Sequence, residues 1–352
     1  MISIQYDKSG FLFKNLKKKV LLVEDAESIL LAINDYLSKE FQIHFVTTIR
    51  EAQHEILSSL EENAPFDLIV TDIHLSDNTG FDLIRFAREY SKNTKVALIT
   101  SYEINDYIET IYKECIDQVI TKQSRMSLQD ISIMARKILS DDIFGIEKYF
   151  PDIRVYYPLE MGDATIPGDK EVFSITIKST KEKIFWINKV AEILCKKNKM
   201  PMATSRLVMD ELLANAIVRA PRFEDGSFKY QKRNEHTFML IPYDDIVLEP
   251  EDYVIFQYGF YGEWVIFTCQ DPHGTLRKNE ILYRLHRHIS IDPENSLPQG
   301  ISDSHGRGIF LLREHLTNLI FNIHKDRKTE VIGLYHTEQD IPYKNISIYE
   351  KD

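Results

Sequence analysis

Glu211 and Asn215 lie four residues apart in RLVMDELLANAIVRA, residues 206–220. On a helix, a spacing of four stacks two side chains on one face, about 5–6 Å apart at Cβ. Val208, Met209, Leu212, Leu213, Ala216 and Ile217 fill roughly half of the helical wheel, which is the width of a buried stripe. Glu211 and Asn215 share one edge of that stripe, with Asp210 and Ala214 on the opposite side. A carboxylate and an amide oxygen at a core boundary can serve as a base and a metal ligand. A solvated pair has the same spacing, so residues further along the chain decide the meaning of this one.

Two stretches bear on it, CQDPHGTL at 269–276 and HGRGIFLLR at 305–313. Gly306, Arg307 and Gly308 open an apolar helix. Glycines there leave backbone N–H groups open to a phosphate, and the helix dipole favours the anion. Residues 277–304, with Pro293, Pro298 and Gly300, have the length and composition of a lid over a site. His286, His288 and His305 lie near this lid and are read as solvated, with no role.

In this order and of these types, the segments resemble the GHKL ATPase superfamily, and within it the anti-sigma-factor serine kinases more than the sensor histidine kinases. The resemblance implies ATP as ligand, with Glu211 as general base and Asn215 holding Mg²⁺ at the phosphates. It also implies that Asp271 binds the adenine amino group and that Gly274 lets the base approach the backbone. Gly306, Arg307 and Gly308 would meet the phosphates. The motif D-P-H-G-T-L departs from the commoner D-x-G-x-G, so only Asp271 and Gly274 carry over from it. The strand at 330–336 is expected to be the last, and it lacks the Gly-Thr that often precedes it in the family. No histidine stands between His74 and His236, which argues against a kinase that phosphorylates its own histidine.

A second set of chemistry-bearing residues lies nearer the N-terminus. VLLV at 20–23 is an unbroken apolar run, as expected of a buried parallel strand. Further strands are expected at 43–47, 67–72, 96–101 and 117–122, with helices to about residue 39 and at 49–61, 81–91 and 126–139. Strands alternating with helices indicate a doubly wound parallel sheet, which binds ligands at the C-terminal ends of its strands. Glu24 and Asp25 close the first strand, Asp72 the third, Thr100 the fourth and Lys122 the fifth. Three carboxylates on one rim repel one another unless a hard divalent cation joins them, and an oxygen-only site suits Mg²⁺. A lysine and a hydroxyl beside them suit a phosphoryl group on one carboxylate.

Residues 17–140 resemble a response-regulator receiver. The resemblance implies that Asp72 is the phosphoacceptor, that Glu24 and Asp25 form the acidic pair with Asp25 a direct Mg²⁺ ligand, and that the backbone carbonyl of His74 is a further ligand. Thr100 would follow the phosphoryl group and Lys122 would pair with it. Val119 stands where many receivers carry a switch aromatic, and Gln123 where they usually carry proline.

The elements that must hold these sites give a fold class of α/β. A five-stranded doubly wound receiver (17–140) leads through an ordered connector (141–171) to an α+β sandwich of the GHKL type (172–352). The connector has three prolines and three glycines but is rich in Tyr and Phe, which a flexible linker lacks. Residues 173–177 are expected to begin the second sheet. Residues 182–197 form a core helix with a stripe of Ile184, Phe185, Ile187, Val190, Ala191 and Leu194. A polar segment to about Pro250 reads as an insertion or extra hairpin, and residues 1–16 carry no readable signal.

The net charge of −11 leaves no basic excess for phosphates, so no nucleic-acid partner is expected. No apolar run approaches the roughly 20 residues of a membrane span, and no signal peptide is evident. Cys115, Cys195 and Cys269 read as reduced core thiols of a cytoplasmic protein.

Three functional readings stay open. The first is a two-component response regulator in which phosphorylation of Asp72 controls a serine/threonine kinase of the anti-sigma-factor type. Its expected partners are an upstream sensor histidine kinase and a STAS-type anti-anti-sigma factor, a sigma factor, or both, and a homodimer is compatible with it. The second is a non-catalytic module that binds a partner when ATP orders the lid. The third is an atypical histidine kinase acting on a separate phosphotransfer protein.

Overall fold

The computed structural model describes residues 4–6, 12–14, 17–100, 107–114, 116, 118–121, 127–157, 166–230, 246–289, 307–338 and 344–352. By its internal contacts the chain divides into two units. The first is Met1–Ser101 with Ile116–Asp141, and the second is Tyr102–Cys115 with Asp142–Asp352.

The first unit opens with a small antiparallel pair, β1 (Ile4–Tyr6) and β2 (Leu12–Lys14). It continues as β3 (Lys19–Val23), α1 (Glu27–Leu37), β4 (Gln42–Val46), α2 (Ile49–Glu61), β5 (Leu68–Asp72), α3 (Gly80–Tyr90) and β6 (Lys95–Thr100). The helix α4 (Ile108–Lys113) groups with the second unit, and β7 (Gln118–Thr121) and α5 (Ser127–Leu139) complete the first. The sheet order is β4-β3-β5-β6-β7, all parallel. The apolar runs are its centre: Val20 to Val23 and Leu68 to Val70 are fully buried, as strands covered on both faces must be.

Local chemistry fixes where the helices begin. Thr48 accepts from the Glu51 amide while the Glu51 carboxylate accepts from the Thr48 amide, a capping box that starts α2. Asp77, in the loop after β5, accepts from the amides of Ile49 and Arg50. That loop is thereby tied to the positive end of α2.

The second unit is built on a seven-stranded mixed sheet, in the order β14-β12-β13-β11-β10-β9-β8. These are β8 (Arg154–Tyr156), β9 (Glu171–Ile177), β10 (Val254–Tyr261), β11 (Trp264–Asp271), β12 (Asn318–His324), β13 (Lys328–His336) and β14 (Asn345–Lys351). The helices are α6 (Thr180–Lys196), α7 (Met202–Ala214), α8 (Lys278–Ile289) and α9 (Arg307–His315). Alternation along the strands sorts the two faces. Cys269, Asp271, Thr329 and Val331 line a pocket with residues of α7 and α9. On the other face the buried carboxylate of Glu330 accepts from Gln270 Nε2, Asn322 Nδ2 and the Gly145 amide. Gly145 precedes the buried rings of Tyr149 and Phe150 in the same unit. Among the described residues no helix is long and apolar enough to cross a membrane.

Several sequence expectations are corrected here. The second sheet begins at β8, paired in parallel with β9, and β13 is not last, because β14 adds a parallel strand to β12. Ile184 is 53% exposed, and Trp186 takes its place in the core face of α6; the stripe is rotated by the ring that fills the larger volume. Cys269 is buried as expected, but Cys195 is exposed at the end of α6, and Cys115 lies outside the described residues. The expected helix through residue 220 is regular only to Ala214. It then widens into a π-helical turn, Asn215–Arg219, a feature frequent at functional sites. Within the expected lid, residues 278–289 are the helix α8, where His288 is buried and not solvated, and residues 290–304 lie outside the described residues.

Candidate functional site

The first site lies at the C-terminal rim of the parallel sheet. Glu24 and Asp25 come directly after β3, and Asp72 ends β5 beside it. One carboxylate oxygen from each of Glu24, Asp25 and Asp72 lies within 4.8 Å of the others. Glu24 and Asp72 are buried and Asp25 is exposed, so the cluster has a floor and an open side. Three negative charges this close repel strongly at low dielectric. A divalent cation with oxygen ligands offsets that repulsion, and the donor set fits Mg²⁺.

The loop after Asp72 is held close. Ala26 donates its amide to Glu24 Oε1 at 3.2 Å, and His74 pairs with Thr79 in a short antiparallel bridge. Gly80, the first residue of α3, packs against the Asp72 carbonyl so tightly that a Cβ there would stand 2.1 Å from that oxygen. Only glycine lets α3 start at this distance from the rim. Thr100 is buried at the end of β6, one residue beyond the partner of Asp72 in the strand register. Lys122 lies outside the described residues, immediately after β7.

The second site is a pocket between α7, α8, α9 and the sheet of the second unit. It is lined by Asn215, Asp271, Thr275, Phe321 and Thr329, among others, with about 590 Å³ of atom-free space, open solvent at the mouth included. Asn215 and Asp271, 56 residues apart in sequence, meet here. Asp271 is buried, and its carboxylate accepts from the amides of His273 at 3.0 Å and Gly274 at 3.2 Å. Burial pushes its carboxyl above the ordinary range, while those two amides and the nearby His273 ring pull the other way.

Gly274 does not line the pocket. It adopts φ +60°, and a Cβ would stand 2.1 Å from the His324 carbonyl, so the turn after Asp271 closes onto the β12–β13 hairpin. The same loop is held from outside by Asp252. That buried carboxylate accepts from Lys229 Nζ at 2.7 Å and from the Tyr230 hydroxyl, and it faces His273 Nε2 at 2.9 Å. Burial works against its charge, but Lys229 and Tyr230 outweigh burial and hold it below the usual carboxylate range.

Glu211, on α7, stands one turn before Asn215 and is not among the residues that line the pocket. Burial raises its proton affinity, the nearby Arg219 charge opposes that, Asp210 adds to it and Lys183 opposes it; the net shift is upward. Gly308, the second residue of α9, lies against this carboxylate. Arg307 is exposed at the head of α9, and Gly306 lies outside the described residues. Arg219, Arg222 and Arg284 also line the pocket, and none was singled out in the sequence. Arg219 was within reach, since it stands beyond Asn215 at the same spacing of four. Thr329 was not, because only the strand register sets it opposite Asp271.

Comparison with known proteins bears on the first site. Residues 20–131 match the family model described as response regulator receiver domain. The response regulator protein PilR of Pseudomonas aeruginosa is 31% identical over 87 residues, covering 24% of this chain and 18% of the relative. The response regulator protein VraR of Staphylococcus saprophyticus is 27% identical over 124 residues, covering 35% of this chain and 57% of the relative. The chain therefore spans 57% or less of these relatives' lengths. Among solved structures, the non-phosphorylated HemR receiver domain from Leptospira biflexa is 25% identical with a TM-score of 0.31, over 35% of this chain and 95% of that one. The phosphorylated cyanobacterial phytochrome response regulator RcpA is 21% identical with a TM-score of 0.33, over 36% and 96%. Residues 20–131 form a response regulator receiver domain.

Proposed function

We propose that this chain is a response regulator whose second unit binds ATP and phosphorylates a serine or threonine of a partner protein, under the control of Asp72. The observation that carries the reading is the meeting of Asn215 and Asp271 in one pocket, with Glu211 one turn from Asn215 on the same helix.

In the receiver, Glu24, Asp25, Asp72 and the His74 carbonyl would hold Mg²⁺, which neutralises charge as a phosphoryl group arrives. Asp72 accepts that group from an upstream sensor histidine kinase. Thr100 and Lys122 then respond to the added charge.

In the second unit, Asp271 accepts from the adenine amino group and Thr329 lies beside it. Asn215 would hold the Mg²⁺ of the bound nucleotide, with Arg307 and the glycines at the head of α9 at the phosphate end. Glu211 takes the proton of the incoming hydroxyl. A carboxylate with raised proton affinity suits a general base better than a fully solvated one. A module that only bound ATP would have no use for this group. The partner class that fits is a STAS-type antagonist or a sigma factor, acting by partner switching.

Incubating the purified chain with radiolabelled ATP and its co-purifying partner tests the assignment. Acid-stable label on the partner supports it. Acid-labile label would indicate a histidine kinase instead, and no label would indicate a binding module.

A further inference from the structure

Asn215 Oδ1 accepts a hydrogen bond from Arg219 Nη1 at 2.9 Å. The bond spans the π-helical turn, where the Ala220 amide donates to the Asn215 carbonyl five residues back. Both side chains line the pocket that contains Asp271. Asn215 Oδ1 is also the oxygen that the ATP-binding reading gives to the metal, and this inference rests on that reading.

One amide oxygen cannot comfortably serve a guanidinium and a divalent cation together. The two positive charges would stand a few ångströms apart in a half-buried site, where screening is weak. The guanidinium has a better acceptor available once a nucleotide enters. Arg222 and Arg284 line the same pocket, Arg284 paired there with Glu280, so the pocket sets three arginines suited to a polyphosphate against the carboxylates of Glu280 and Asp271. A phosphate oxygen binds an arginine more strongly than a neutral amide does, and can do so with two hydrogen bonds.

We propose that Arg219 is a displaceable latch on Asn215: it holds the amide oxygen until the phosphates of a nucleotide draw the guanidinium away and free that oxygen for the metal. Arg219 is thus a positioning residue, acting on the metal through Asn215. Metal and nucleotide then bind cooperatively, each favouring the other by the same factor, because both act on one hydrogen bond.

The test uses the full-length chain and a fluorescent ATP analogue at fixed concentration, titrated with Mg²⁺. The fluorescence reports the pocket, so Mg²⁺ held by the acidic rim of the first unit does not enter the signal. Wild type, Arg219→Ala and Arg219→Lys are compared. Arg219→Ala should lower the Mg²⁺ concentration at half-saturation at least about threefold, within the range of site-to-site couplings. It should also weaken binding of the nucleotide in excess EDTA. Arg219→Lys retains a cation at the site and should stay close to wild type in its Mg²⁺ midpoint.

A variant that loses affinity equally at every Mg²⁺ concentration, with an unchanged midpoint, would make Arg219 a plain phosphate contact and overturn the latch. If wild type itself bound no nucleotide, the ATP reading would fall and the latch with it. An unchanged midpoint in a protein that binds ATP removes the latch alone. Should Arg219→Ala melt, Arg219→Met keeps the apolar stem without the charge and is read by the same midpoint.

Discussion

A Cβ placed on Gly308 would lie 2.0 Å from Glu211 Oε2. The head of α9 therefore determines where the carboxylate of α7 can stand. The clash involves the flexible end of one side chain, so the fold can relieve it by moving Glu211 alone.

Gly308→Ala should therefore fold with a melting temperature near wild type but displace the proposed base. Phosphoryl transfer should fall roughly 10²-fold, as in a chain lacking its general base. Glu211→Ala should behave in the same way. Unchanged transfer rates in both variants would remove Glu211 from this role.

Gly80→Ala should behave in the opposite manner. Its new Cβ would meet a backbone oxygen, that of Asp72, at 2.1 Å, and neither α3 nor β5 can yield without disturbing the rim. Overpacking of this kind costs about 1–3 kcal/mol. Denaturant unfolding should show that loss, together with slower phosphorylation of Asp72 by acetyl phosphate. Wild-type stability in this variant would mean that α3 does not start at Gly80.

The acidic rim shows how much was legible in the sequence. The unbroken apolar run at Val20 to Val23 marked a buried parallel strand, so the acids after it had to fall at a strand end. The helical spacing of Glu211 and Asn215 was equally plain. What stayed hidden depended on register and on departures from regular geometry. Thr329 meets Asp271 only because β11 and β13 pair at that position. Arg219 stands four residues beyond Asn215, a legible spacing, but the π-helical turn between them was not legible. Ile184 and Cys195 looked like core residues by type, but the ring of Trp186 and the end of α6 decided otherwise.

Asp271 predicts a pH dependence of stability. Burial raises its folded pKa above the ordinary value, so the fold favours the neutral acid. Its contribution is fully favourable below the unfolded value, about 3.9, and is lost as pH rises through the folded value. Asp271→Asn removes the buried charge and retains an acceptor oxygen for His273 and Gly274. At pH 7 the variant should unfold at higher denaturant than wild type, and the gain should shrink as pH falls towards 4. A variant less stable than wild type at pH 7, with a gap that widens on acidification, would contradict this account of the carboxylate.

Phosphorylation should couple the two sites. Asp72 should accept phosphate from acetyl phosphate in Mg²⁺, and Asp72→Asn should not. The modified chain should differ from the unmodified one in ATP affinity, transfer rate, partner affinity or oligomeric state, by about 1–3 kcal/mol. Identical values in all four would break the link between the receiver and its output.

Calorimetric titration of ATP with Mg²⁺ into wild type, Asn215→Ala and Asp271→Ala tests most directly whether the second unit is an ATP-binding output. Wild type should bind, and each variant should bind at least tenfold more weakly, a loss of about 1.4 kcal/mol. No binding by wild type, or wild-type affinity in both variants, would contradict the assignment.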